Sequence, residues 1–193
     1  MNILDTLTNK QYKKSISKSF SNNEIIFNET DECVCVGIVK HGTVIISSYL
    51  ENGKEVIYNT IYENDMFGNN LIFSTNNKYK GNVISKGNSE IVFINKDDLI
   101  DILMNNKEFL LEYLKIQSNF GKNLNNNIKL LALSSAEDRL FYLLHINNNC
   151  LKYDSISSLS KTLFLERETT SRLVSKLVKE SKIIKDKNII YKV

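Results

Sequence analysis

The sequence predicts an α+β fold in the order β-roll, long helix, winged helix-turn-helix, and three observations predict it. Short apolar runs separated by glycine or asparagine turns fill residues 24–94, the pattern of a sandwich or barrel. From about residue 97 the apolar period changes from strand-like to helical. Residues 150–193 then read as helix, helix, strand, strand, and hold two of the only three arginines, Arg167 and Arg172.

The strands are expected at Cys33–Val39, Thr43–Ile46, Glu55–Tyr58, Asn82–Ser85 and Glu90–Ile94. Turn signals separate them at Lys40-His41-Gly42, Glu51-Asn52-Gly53 and Lys86-Gly87-Asn88. Such a set suggests a sandwich or barrel, expected to form one domain over residues 1–106. Asp97–Met104 reads as a short amphipathic helix, with Asp97, Asp98 and Asp101 as its charged first turn and face rather than a catalytic cluster.

A longer helix is expected from about Lys107 to Leu133. Phe109, Tyr113, Ile116 and Phe120 recur in it at spacings of 4, 3 and 4, a coiled-coil-like seam able to pair two subunits. The same stripe could instead pack on its own β domain. Ser134 and Glu137 have capping-box spacing, so a domain hinge is expected near Leu133–Ser134, with residues 134–193 forming the last domain.

In that domain Ser155–Leu163 reads as a short helix with Ser155 as N-cap, and Phe164-Leu165 as a tight link into a second helix. On the second helix Arg167, Glu168, Ser171, Arg172 and Ser175 share a polar face, opposite Leu173, Val174 and Leu177. Ile183-Ile184 and Ile189–Tyr191 flank a turn at Lys185–Asn188, a natural wing. Of 25 basic residues only three are arginine. A planar bidentate donor suits guanine's major-groove edge and lysine does not supply one. Paired arginines on a second helix therefore point to sequence-specific DNA binding. The alternative is an i,i+4 ion pair between Glu168 and Arg172 on a solvated face.

Charge agrees with this layout. Residues 1–149 carry 15 basic and 17 acidic side chains, whereas residues 150–193 carry 10 and 5. A basic C-terminal module on a mildly acidic body fits a nucleic-acid partner. No apolar run suits a membrane span or a signal peptide, so a cytoplasmic protein is expected. Three cysteines argue against a disulfide framework. Cys33 and Cys35 are expected on one strand, facing the same side as small buried hydrophobes, and Cys150 in the linker between domains. No Walker loop, nucleophile elbow or metal-ligand spacing is present, so an enzyme is not expected.

The whole order resembles the Crp/Fnr family of bacterial transcription regulators. Arg167-Glu168-Thr169 and Arg172 match that family's Arg-Glu-Thr-x-x-x-Arg pattern. Arg139-Leu140 with Leu143-Leu144 matches its helix leading into the DNA-binding domain. Lys40-His41-Gly42, Asn52-Gly53-Lys54 and Asn64–Gly68 fall at its β-roll turns. The resemblance implies that residues 1–106 close as a jelly-roll (a double-stranded β-helix) that serves as a sensor domain. It also implies a homodimer on double-stranded DNA, reading an inverted repeat with TGTGA-like half-sites. Arg167 and Arg172 would contact guanines and Glu168 a cytosine amino group. Thr169, Ser171, Ser157 and Lys176 would contact phosphates, and RNA polymerase would be a further partner of an activator.

The chain also departs from the family. In cyclic-nucleotide-binding members a glutamate after Phe-x-Gly holds the ribose, and an Arg-Ser pair holds the phosphate. Here Asn69 and Tyr79-Lys80 stand at those places, which argues against cyclic AMP. An effector pocket is nonetheless expected around Gly68, Asn69, Asn70, Leu71, Tyr79 and Lys80. The family's iron–sulfur sensors need four cysteines, mostly near the N-terminus, and the first here is Cys33. Only His41 and His145 could serve haem besides cysteine, and neither has a telling neighbour. No cofactor is therefore expected, and the effector stays open. Phe164 stands where the family commonly places glycine. A second reading keeps the β-roll as a ligand-binding module and gives the C-terminal domain a protein partner instead.

Overall fold

The structure is a computed structural model that describes residues 2–53 and 55–193; the turn residue Lys54 lies outside these. The chain forms two compact units, Met1–Phe120 and Gly121–Val193.

The first unit begins with a 3-10 turn at Ile3–Thr6 and the single-turn helix α1 (Asn9–Tyr12). Eight strands follow: β1 (Ile16–Phe20), β2 (Ile25–Phe27), β3 (Cys35–His41), β4 (Val44–Tyr49), β5 (Glu55–Ile61), β6 (Met66–Phe67), β7 (Asn82–Ser85) and β8 (Ser89–Asn95). They make two four-stranded antiparallel sheets, ordered β1-β8-β3-β6 and β2-β7-β4-β5, the jelly-roll that the resemblance implies. The β3–β4, β4–β5 and β7–β8 turns fall where glycine signals them. Three of the strands were not legible. β1 reads Ile-Ser-Lys-Ser-Phe and stays mostly exposed, so its alternation is between polar and half-apolar residues. β2 and β6 are too short to show a period.

Inside the roll, Phe20, Phe27, Phe67, Phe93 and Tyr79 form an aromatic cluster with mostly edge-to-face contacts. Gly37 lets it close: a Cβ there would lie 2.2 Å from the Phe67 ring. The outer face of β3 buries Val36 and Ile38 in the same core cluster as Leu99 and Ile102 of α2 (Lys96–Asn105). Asn95 caps α2 by accepting from the Asp98 backbone N–H.

Helix α3 runs Lys107–Ala132. Of the two partners expected for the apolar stripe, the chain's own β domain covers most of it. Phe109 and Tyr113 are buried in the first unit's own core and Ile116 packs against it, while Phe120 is half-buried. A regular apolar spacing marks a buried face without saying what buries it. The exposed apolar side chains of α3 are instead Leu111, Leu114, Leu124, Ile128 and Leu131.

The second unit adds α4 (Ala136–Ile146), β9 (Cys150–Lys152), α5 (Ile156–Leu163), α6 (Arg167–Lys179), β10 (Ile183–Asp186) and β11 (Ile189–Lys192). The cap of α4 sits one residue later than expected: Ser135, not Ser134, accepts from the Asp138 N–H. Cys150 is not in a linker but in β9, opposite Tyr191, completing a sheet ordered β10-β11-β9. Three residues between asparagines and a serine-rich helix gave no strand signal. Leu140, Leu143 and Leu144 of α4 pack with Leu159 and Leu163 of α5 and Leu173, Val174 and Leu177 of α6.

Candidate nucleic-acid interface and effector pocket

Helix α5 starts with a capping box. Ser155 Oγ accepts from the Ser158 N–H at 3.1 Å, and Ser158 Oγ accepts from the Ser155 N–H at 3.0 Å. It ends at Phe164, which takes the left-handed conformation with φ 55° and ψ 45°. The Leu165 N–H reaches back to the Ser160 carbonyl at 2.9 Å, the 6→1 bond of a Schellman closure. A phenylalanine thus makes the turn that glycine would make with less strain.

Arg139 braces that turn. Its Nη1 donates to the carbonyls of Leu163 (3.2 Å) and Phe164 (3.3 Å), and its Nε donates to Leu133 (3.2 Å). The orphan carbonyls ending α3 and α5 thereby share one cation, which a lysine's single ammonium reproduces poorly. This role was invisible in the sequence, which shows only an arginine among leucines.

Helix α6 buries Thr170, Leu173, Val174 and Leu177 and leaves Arg167, Glu168, Ser171, Arg172 and Ser175 exposed, with Thr169 half-buried. The polar face is therefore the one that the helical period predicts. The Glu168–Arg172 ion pair does not form, and neither arginine is in an ion pair among the described residues. A depression of about 370 Å³ is lined by Arg167, Glu168, Ser171, Arg172 and Ile156. Ile156 is an apolar member of a face expected to carry only charged and hydroxyl groups; at the first position of α5 no periodicity reveals it. A second depression of about 490 Å³ continues along Arg172, Ser175, Lys176 and Lys179. Ser157 is exposed on the first turn of α5. Lys176 is already engaged, 3.6 Å from Glu137 and 3.7 Å from Glu180, and Lys182 lies 2.7 Å from Glu137. Bonding to Lys182 holds the Glu137 carboxyl below its usual range.

In the β-roll, Gly68 has φ 79°, and a Cβ there would meet Cys33 Sγ at 3.0 Å and the Tyr79 hydroxyl at 3.1 Å. Asn69 is buried, but its side chain donates to Gln117 Oε1 at 3.1 Å. Its carbonyl accepts from Tyr113 Oη (3.2 Å) and Gln117 Nε2 (2.8 Å). Leu71 is half-buried, whereas Asn70 and Lys80 face solvent. Tyr79 is 1 % exposed and stacks on Phe27 at 5.0 Å and 13°. Burial drives its phenol pKa far up. The structure thus gathers Gly68, Asn69, Leu71 and Tyr79, and leaves Asn70 and Lys80 apart from them.

Each cysteine meets part of the expectation: Cys35 lies on β3 but is only half-buried, and Cys33 is buried but off the strand. Cys33 precedes β3, is buried, and directs its thiol to the carbonyls of Cys35 (3.3 Å) and Gly68 (3.4 Å). Burial raises both thiols, Cys35 to about 11, so neither is a thiolate near neutral pH. His41 Nδ1 lies 2.7 Å from Glu63 on the surface. Among the described residues no cluster suits a metal ion, and no helix is long and apolar enough to cross a membrane.

Residues 17–106 match the cyclic nucleotide-binding domain family. No curated protein sequence matches the chain. A solved transcriptional regulator from Thermotoga maritima is similar at 28% identity, over 64% of this chain and 95% of that one, with a TM-score of 0.58. A mutant of CooA from Carboxydothermus hydrogenoformans superposes over 100% of this chain and 91% of its own, at 18% identity and a TM-score of 0.78. The c-di-GMP responsive regulator CLP of Xanthomonas campestris covers 98% and 97%, at 15% identity and a TM-score of 0.66. Residues 17–106 thus carry a cyclic nucleotide-binding domain, and the chain shares its fold with solved regulators of the Crp/Fnr family.

Proposed function

We propose that the protein is a sequence-specific DNA-binding transcription regulator and not an enzyme, with α5, α6 and the β10–β11 hairpin acting as a winged helix-turn-helix. The observation that carries this reading is the α6 face, where Arg167, Glu168 and Arg172 are exposed without ion pairs among the described residues. Charged groups held on a rigid helix and left uncompensated are poised to pair with base edges. Arg167 and Arg172 read guanine, Glu168 accepts from cytosine, and each good contact discriminates by about 1–3 kcal/mol. Ser157, Thr169 and Ser171 set register on phosphates; Ile156 fits a thymine methyl group. Lys176 joins them only by leaving its carboxylates.

The protein acts as a homodimer on an inverted repeat, working in the cytoplasm, with RNA polymerase a further partner if it activates. The exposed apolar side chains of α3 supply the pairing surface: Leu114 and Ile128 with Leu124 and Leu131, the exposed Gly121 standing midway between Leu114 and Ile128. The effector is other than cyclic AMP: the Asn69 side chain bonds Gln117, and the Tyr79 ring, stacked on Phe27, brings its hydroxyl against Gly68. A protein-contact role for α6 fits less well, because Ile156 is the one apolar side chain lining its depressions.

The test is selection of DNA from a random library by the purified protein, with Arg167→Lys and Arg172→Lys in parallel. An enriched palindrome, relaxed at one base pair by each substitution, is the expected result. Enrichment of a palindrome that neither substitution alters would remove these arginines from the readout.

A further inference from the structure

A second cavity of about 290 Å³ opens in the β-roll between β1 and β2, away from the Gly68–Asn69 turn. Its walls are Ile16, Phe20, Ile26, Phe27 and Phe93. The rings of Phe20 and Phe27 both stand edge-to-face on Phe93, at 6.1 and 6.0 Å. The period of two along β1 puts Ile16, Lys18 and Phe20 on this one face, while Ser17 on the other bonds Glu90. Lys18 is exposed at the rim of the cavity, so its ammonium can reach a group seated against the aromatic rings.

The other polar groups at the rim are committed. Lys14 sits 3.2 Å from both Asp98 and Asp101, and Asn95 caps α2. Lys18 has no ion pair among the described residues, yet it lies near enough to Cys35 to act on that thiol electrostatically. The Cys35 thiol stays protonated near neutral pH, so the wall is unreactive.

We infer that this cavity binds a small monocarboxylate with a compact apolar body, its carboxylate on Lys18 and its body against Phe20, Phe27 and Phe93. The volume is at the lower end of small-molecule sites, which start at roughly 300 Å³, so the ligand is of the size of a medium-chain acid. Occupancy reaches α3 through contacts already described. Phe27 stacks on Tyr79, Tyr79 abuts Gly68, and the next carbonyl, that of Asn69, holds Tyr113 and Gln117 of α3.

The inference does not depend on DNA binding and is tested without DNA. Octanoate is titrated into the full-length protein, and backbone amide NMR shifts are followed, with octanol as the uncharged counterpart. One saturable site is expected, with shifts centred on β1, β2, Cys35 and Phe93. Lys18→Met should weaken octanoate about fivefold to tenfold, as expected for a partly solvated charge-assisted contact, and leave octanol unchanged. Ile16 is 59 % exposed, so Ile16→Trp should fold normally and block the mouth, abolishing both. The inference fails if octanoate gives no saturable shifts, if the shifts centre elsewhere, or if Lys18→Met binds octanoate as tightly as the wild type.

Discussion

Removing the Tyr79 hydroxyl should stabilise the protein. The ring is fully enclosed and stacked on Phe27, but among the described residues its oxygen has no partner beyond the Cys33 thiol. The polar group beside it is the Cys33 thiol, whose hydrogen is directed at the Gly68 and Cys35 carbonyls. A thiol is in any case a weak partner. A buried hydroxyl left in this state costs about 1–3 kcal/mol. Tyr79→Phe keeps the stacked ring and deletes only that oxygen; the gap left is smaller than a methyl group and offsets less than about 1 kcal/mol. The net expectation is a gain of about 1 kcal/mol, or a rise in Tm of about 2–4 °C for a chain of this size. Thermal unfolding followed by circular dichroism measures it. Tyr79→Leu serves as the control, since losing the stack should cost about 2 kcal/mol or more and show that the transition reports this site. A Tyr79→Phe protein less stable than wild type by 1 kcal/mol or more would refute the reasoning, because it would mean that the hydroxyl is hydrogen-bonded.

Three further outcomes are expected. Arg139→Lys should lose about 1–2 kcal/mol in urea unfolding of the second unit, because one ammonium cannot serve the Leu133, Leu163 and Phe164 carbonyls together. Stability should fall as pH rises from 9.0 towards about 11, since Cys35 is protonated in the fold over a range where the unfolded thiol ionises. Below 9.0 that contribution is fully present, and Cys35→Ala should flatten the slope in unfolding curves taken across the range. Ile128→Asp, on the exposed stripe of α3, should shift sedimentation from dimer to monomer, with circular dichroism unchanged.

What could be read in advance depended on how many residues shared a signal. The longer strands of the roll, the helices and the α5–α6 pair each repeat their pattern several times, and the structure has them within a few residues. Single-position signals fared worse. Ser134 and Ser135 are equally good caps, and only the local backbone picks Ser135. β9 is three residues long, beside Asn147-Asn148-Asn149, two of which take positive φ. The stripe Phe109, Tyr113, Ile116 was legible as a buried face, but its partner, the chain's own β-roll, is a long-range fact. At the candidate interface the polar face of α6 followed from the period, while the bracing by Arg139 and the place of Ile156 needed elements more than ten residues away.

The carboxylates around Lys176 change how binding should respond to salt. A phosphate arriving at a free surface lysine displaces a condensed cation from DNA, and each such contact adds about 0.9 to the slope of log K against log salt. Lys176 already has Glu137 and Glu180 as counter-ions. A phosphate that takes it leaves Glu137 and Glu180 sharing Lys182 alone, a net negative group that then gathers a cation of its own, so the exchange is nearly neutral in ions. Lys176 would then hold the helix on the duplex without making the complex more sensitive to ionic strength, and its contribution would persist at salt concentrations that strip the other lysines away.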